Sequence, residues 1–271
     1  MSSQRLPCLL LALLLCHDTF TACPWTFAVS APPSAIRARA KSRALTVRIM
    51  NAGSALHVLD IISSEHSNPN WNLISLSAAW SRLVRVQHSI NEHTKRHPCL
   101  PQLPKLTKQL LEKTPRLPSR AVTNMLWATT KLESAMPFPG LWATLADAVK
   151  RSEKPMTARS VASVFLAMAA TNDADIEILM GLLKIMAGRL AAVVLDMNAQ
   201  EVANMIWSVA RLATKDFDSE ALMSPLALLM GRVPHVVSAM NAQEVANFLE
   251  FAPILQSSQT VWHHWLDKFQ L

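Results

Sequence analysis

The octapeptide MNAQEVAN stands at Met197–Asn204 and again at Met240–Asn247, 43 residues further on. An identical run at that separation marks an internal repeat, and a repeat constrains the fold more than composition does. Anchored on it, four segments fall in register: Leu117–Leu132 (LPSRAVTNMLWATTKL), Met156–Thr171 (MTARSVASVFLAMAAT), Met197–Leu212 (MNAQEVANMIWSVARL) and Met240–Leu255 (MNAQEVANFLEFAPIL). Their starts lie 39, 41 and 43 residues apart, and a weaker earlier copy surrounds Trp80 in LISLSAAWSRLVRV.

Each segment has the period of a helix. In the third, Val202, Ile206, Val209 and Ala213 form one apolar line that Met205 and Leu212 widen. The octapeptide itself reads as a helix start. Asn198 sits at an N-cap, Glu201 three residues on completes a capping box, and Met197 with Val202 has the spacing of a hydrophobic staple. Asn241, Glu244, Met240 and Val245 repeat the arrangement, Thr157 and Ser160 imitate it, and Pro118 takes the cap position of the first copy.

A second helical pattern lies between the segments, at Leu141–Arg151, Ile176–Leu195 and Ala221–Met240, the last interrupted by Pro225 and Pro234. Ser54–Ser64 has the same character, and Val261–Leu271 reads as the partner helix of the last copy. His97–Pro118, with five prolines, reads as an irregular connection or a disrupted helix. Only 5 glycines and no tyrosine in 271 residues argue against sheets. The expected fold is all-α, an αα-hairpin solenoid of about 40-residue repeats in four to five imperfect copies, near 54–100, 117–155, 156–196, 197–239 and 240–271.

Residues 1–50 are expected to be an address. MSSQR followed by the apolar Leu9–Cys16 and small residues near Cys23 has the form of a signal peptide over 1–23, too short for a membrane span. Residues 24–50 lack acids but carry Arg37, Arg39, Lys41, Arg43 and Arg48 among serines, the composition of a transit peptide or a basic disordered linker. This resembles the bipartite leaders of proteins sent to secondary plastids. A mitochondrion, or secretion followed by a basic linker, is the alternative. Three of the four cysteines fall in the leader, leaving Cys99, which favours a reducing interior over secretion.

The chain carries a net +7, unevenly distributed. Residues 82–159 hold 14 basic and 5 acidic side chains, whereas 160–271 hold 6 and 11. A basic stretch is the footprint of a polyanion partner or simply a solvated face.

At Val202–Leu212, with Asn204, Trp207, Arg211 and Leu212, the sequence resembles the octotricopeptide repeat. Val122–Leu132, with Asn124, Trp127, Lys131 and Leu132, matches nearly as well. Val161–Ala170 keeps the register with Ser163 and Leu166, and Val245–Leu255 keeps Asn247 but has Glu250 for the Trp. Such arrays are also similar to those of FAST-kinase-like proteins and of the RNA-editing substrate-binding complex. The resemblance implies a non-catalytic organellar RNA-binding protein acting in RNA processing, editing, stability or translation. Single-stranded organellar RNA would be its partner, together with other subunits of an RNA-processing complex. A scaffold that binds proteins without touching RNA is the alternative, favoured by the acidic back half.

In such a repeat the first helix would line the binding face. Its polar stripe is Gln200, Asn204, Ser208 and Arg211, with Arg120, Asn124, Ala128, Lys131, then Arg159, Ser163, Ala167, Ala170, then Gln243, Asn247, Phe251, Ile254 as counterparts. Amides suit base edges, and Arg or Lys suits phosphates. The candidate RNA-binding residues are therefore Arg116, Arg120, Asn124, Lys131, Lys154, Arg159, Gln200, Asn204, Arg211, Gln243 and Asn247. The three asparagines have a second reading, bonding to a neighbouring helix's backbone. Trp127 and Trp207 read as packed between helices rather than exposed for stacking.

No catalytic, metal or cofactor site is expected. His93, His97 and Cys99 read as loop residues, His263 and His264 have only Asp267 near them, and Asp173, Asp175 and Glu177 read as charge at a helix start. Phosphate-loop, nucleophile-elbow and zinc-hydrolase signatures are missing from the sequence.

Overall fold

The structure is a computed structural model that describes residues 33–153, 155–172, 175–215 and 219–249. The chain divides into two compact units, 1–37 and 38–271. Of the first, only residues 33–37 are described, and they are helical. The second contains all the repeated segments.

The described residues hold only helices, turns and connecting segments. The α-helices are α1 (Pro33–Met50), α2 (Ala55–Glu65), α3 (Leu73–Arg85), α4 (Glu92–Lys95), α5 (Leu103–Lys113), α6 (Ser119–Leu132), α7 (Leu141–Arg151), α8 (Ala158–Ala170), α9 (Ile176–Ala191), α10 (Ala199–Ala213), α11 (Ser219–Val236) and α12 (Ala242–Leu249). The all-α expectation is met.

Capping residues explain where the helices begin. Asn72 Oδ1 accepts from Ile74 N and Ser75 N at 3.0 and 3.1 Å, opening α3. Thr157 Oγ1 accepts from Ser160 N at 3.2 Å, opening α8. Asn198 and Glu201 form a full capping box, with Glu201 N donating to Asn198 Oδ1 at 2.9 Å and Asn198 N donating to Glu201 Oε2 at 3.1 Å. Asn241 and Glu244 make the same reciprocal pair at 3.0 and 2.9 Å. The octapeptide is a helix start both times. Pro118 caps α6 without a side-chain bond, and Gly140, at φ 72°, supplies the left-handed residue that opens α7.

Two layers result. In one, α3 packs on α6, α6 on α8, α8 on α10 and α10 on α12. The other runs through α5, α7, α9 and α11, each packed on the next. The layers are tied by hairpin-like pairs, α3 with α5, α6 with α7, α8 with α9 and α10 with α11. Each of α3, α6, α8 and α10 carries a fully buried side chain eight residues past its cap: Trp80, Leu126, Phe165 and Ile206. Burying each stabilises the stack by about 1.5–3 kcal/mol.

Three expectations need correction. The proline-rich run 97–118, expected as an irregular connection or a disrupted helix, holds a regular helix at Leu103–Lys113. Pro101 and Pro104 fall at the start of a 3-10 turn and of α5, where the missing N–H has no partner to lose. Likewise, α11 continues through Pro225 and Pro234. Its anchors Leu222, Leu226 and Leu229 are buried at helical spacing, so apolar contact outweighs the lost backbone bonds. Third, residues 24–50 are not wholly a linker, because Pro33–Met50 is helical and Leu45 and Ile49 join the core. Residues 261–271 lie outside the described residues.

One segment, Ala221–Ala239, has the length and apolarity of a membrane span, with mean hydropathy 1.2. Leu222, Leu226, Leu229 and Val236 on it are buried against the rest of the protein.

Candidate nucleic-acid interface

The first-layer helices share a register that puts the same offsets on one face. Counted from the cap, residues two, six, nine and thirteen on are Arg120, Asn124, Trp127 and Lys131 in α6. They are Arg159, Ser163, Leu166 and Ala170 in α8, and Gln200, Asn204, Trp207 and Arg211 in α10. In all three helices the first of these is exposed and the second and third are half-buried. At 100° per residue, offset nine lies about 30° from the stripe's mean direction and offset ten about 70°. This corrects the expected stripe. Ala128, Ala167 and Ser208, placed in it by sequence, are buried, and Ser208 Oγ turns inward to donate to the Asn204 carbonyl at 2.7 Å.

The two tryptophans therefore have two faces. Trp127 and Trp207 pack against the core, as expected, yet each is only half-buried. Trp127 also forms part of the wall of a groove of about 510 Å³. Arg85 and Ser81 of α3, Arg120 and Asn124 of α6, and Arg159 and Ser163 of α8 complete that wall, with Thr157 and Ser160 at its edge. Three successive first-layer helices thus contribute one arginine each.

No acid lines the groove, and among the described residues Arg85, Arg120 and Arg159 take part in no ion pair. Three guanidinium groups around one concavity repel one another and favour an anion between them. The amide of Asn124 makes no side-chain hydrogen bond among the described residues, and neither does that of Asn204. Asn247 accepts from Gln243 Nε2 at 3.0 Å on its own helix. The reading in which these asparagines bond to a neighbouring helix's backbone therefore fails, and the amide of Asn124 is left to present its donors and acceptor to the groove.

Of the candidate residues, the structure gathers Arg120, Asn124 and Arg159. Arg116 is exposed in the turn before α6, and Lys131 is exposed at the end of α6. Gln200, Asn204 and Arg211 stand on α10, and Gln243 and Asn247 on α12, outside this groove. Lys154, Phe251 and Ile254 lie outside the described residues. Sequence reasoning missed Arg85, although its signal was present. It stands thirteen residues after Asn72, as Lys131 does after Pro118 and Arg211 after Asn198. Aligning the weak copy on Trp80 hides this, because Trp80 is a core residue and Ser81 holds the place of Trp127.

The other clusters have structural employment. His97 Nε2 meets Asp60 Oδ1 at 3.2 Å, and its Nδ1 accepts from Cys99 N at 3.1 Å. Cys99 is buried, and burial pushes its thiol up to about 11. Asp175 Oδ1 accepts from Glu177 N at 2.8 Å and so opens α9. Asp173, His263 and His264 lie outside the described residues.

Compared with known proteins, the chain matches no family model, and neither a curated protein nor a solved structure matches it. Its own geometry has to carry the functional reading.

Proposed function

We propose that this chain is a non-catalytic helical-repeat protein that binds single-stranded RNA along the exposed face of its first-layer helices. The observation behind the reading is the groove around Asn124, where Arg85, Arg120 and Arg159 converge without acidic partners beside the half-exposed ring of Trp127. Guanidinium groups hold phosphates, an aromatic face receives a base, and a free amide can pair with a base edge. A single strand fits better than a duplex, because only unstacked bases can reach a ring set into a groove.

The repeated two-layer packing supports an αα solenoid of the octotricopeptide-repeat type, and the leader supports delivery to a plastid. Within that reading the protein acts in RNA processing, editing, stability or translation by occupying RNA rather than cutting it.

The test is binding of the chain to a labelled single-stranded RNA over a salt series, with an RNA duplex of equal length beside it. Single-strand affinity should exceed duplex affinity and fall steeply with salt. Absence of binding at low salt sinks the reading and leaves the protein-binding scaffold in its place.

A further inference from the structure

The basic segment that reads as the end of a leader has a second employment. The α1 helix carries Arg39, Lys41, Arg43 and Arg48, all exposed, and its Ser42 and Thr46 side chains reach the start of α3. Asn72 Nδ2 donates to Ser42 Oγ at 2.7 Å, while the same residue's Oδ1 caps α3. Thr46 Oγ1 and Ser75 Oγ are 3.5 Å apart. Below them Ile49 is fully buried and Leu45 nearly so. Thus α1 is fastened to the start of α3 through side chains on one face.

The cations of α1 divide by face. Arg48 is engaged with Glu65, Nη1 to Oε1 at 2.6 Å, on the side that looks toward α2. Arg39 and Arg43, one turn apart, flank Ser42 on the side toward α3, and among the described residues neither has an acidic partner. With Thr46, Asn72 and Ile74 they border a cleft of about 430 Å³ that contains no acid.

The geometry points to Arg39 and Arg43 of α1, at the cleft beside the start of α3, as an extension of the RNA-binding face that binds the phosphodiester backbone of the same strand. This rests on the RNA-binding reading of the Arg85–Arg120–Arg159 groove. It has a consequence for processing: the functional chain keeps α1, so a leader, if removed, is cut upstream of Arg39. The strand would pass from that groove across α3, where Ile74 is 57% exposed, to the α1 cleft.

The experiment compares three full-length proteins on a fluorescent oligouridylate over a salt series: the parent, Arg39→Gln/Arg43→Gln, and Arg85→Gln/Arg120→Gln/Arg159→Gln. Losing two phosphate contacts should lower the slope of log affinity on log salt by about 1.4, at roughly 0.7 per contact for a single strand. If the groove variant weakens and the α1 variant matches the parent, the inference falls and the RNA reading stands. If the parent does not bind, both fall. A helical circular-dichroism signal and melting midpoint equal to the parent's establish that the α1 variant is folded, since both arginines are exposed. The second measurement is the N-terminal peptide of the chain isolated from its own cells. A start before Arg39 agrees with the inference, and a start after Arg43 overturns it.

Discussion

Arg232 of α11 holds the carbonyl of Met197 with two N–H groups, Nε at 3.2 Å and Nη2 at 3.0 Å. Met197 opens the second-last octapeptide helix, 35 residues earlier in the chain. Arg189 of α9 does the same for the preceding repeat. Its Nη1 donates to the Val149 carbonyl at 2.9 Å and lies 2.7 Å from Met156 Sδ, and its Nη2 donates to the Lys150 carbonyl at 2.9 Å. Met156 and Met197 are equivalent positions of the repeat. On the other layer Arg82 Nε donates to the Ala52 carbonyl at 2.7 Å, and Lys215 Nζ donates to the Thr171 carbonyl. Cations reaching back to backbone carbonyls fasten one repeat to the one before.

Replacing Arg189 with Met should destabilise the protein by about 1–3 kcal/mol, because at the end of α7 the Lys150 carbonyl loses this donor and the Val149 carbonyl keeps only those of Ser152. The melting midpoint, followed by circular dichroism, should fall by roughly 2–12 °C. An unchanged midpoint would mean that water satisfies those carbonyls equally well.

Asn198→Ala should cost about 1 kcal/mol by removing the acceptor for Glu201 N, and Asn198→Asp should be near neutral. Urea denaturation of the three proteins measures the difference. Equal loss for Ala and Asp would show that the amide donor, rather than the cap, matters there.

The Arg85→Gln/Arg120→Gln/Arg159→Gln protein should keep its fold, since Arg85, Arg120 and Arg159 are all exposed. Its salt slope on single-stranded RNA should drop by about 2, three contacts at roughly 0.7 each. A slope equal to the parent's would move the phosphate contacts elsewhere.

Trp127→Leu should weaken RNA binding by about 1–3 kcal/mol while the protein still folds. Leucine already occupies the same place in α8 as Leu166, so the register accepts it. Filter-binding affinity with a thermal melt alongside separates the two effects. Full affinity in the Leu variant would make the ring a packing residue alone.

Cys99 gives the protein an alkaline dependence. Burial raises its thiol from about 9 to about 11, so the folded state holds the proton more tightly than the unfolded state does. The stabilisation is fully present below about pH 9 and is lost as pH rises toward 11. Denaturation midpoints across that window should decline in the parent, and the Cys99→Ala protein should lack this part of the decline. Peptide-level alkylation at pH 8 should label Cys99 only after unfolding.

Much of this fold could be read from residues 117–212, because caps, staple and apolar line are all local. Asn198 and Glu201 specify their helix start within four residues, and that part of the reading needed no partner. What depends on distant partners was not legible. Arg189 and Arg232 look like solvated helix charges in sequence, yet one is buried against a turn 33–40 residues away and the other holds a carbonyl 35 residues away. The helix at Leu103–Lys113 was hidden by prolines whose harm depends on position, and all that bear on it fall outside its interior. In the candidate site, Arg120, Asn124 and Arg159 followed from register alone. Arg85 did not, because a large aromatic drew the alignment one residue out of phase.

The carbonyls that receive Arg82, Arg189, Lys215 and Arg232 are features every residue possesses. A repeat held this way asks little of its neighbour's side chains at the point of attachment, Ser152 and Met156 beside Arg189 being the exceptions. A duplicated unit can therefore be inserted, lost or exchanged without a matching change in the unit that receives it. That tolerance is a physical route by which two identical copies of MNAQEVAN come to sit side by side in one gene product, and by which the number of units can drift while each contact between them survives.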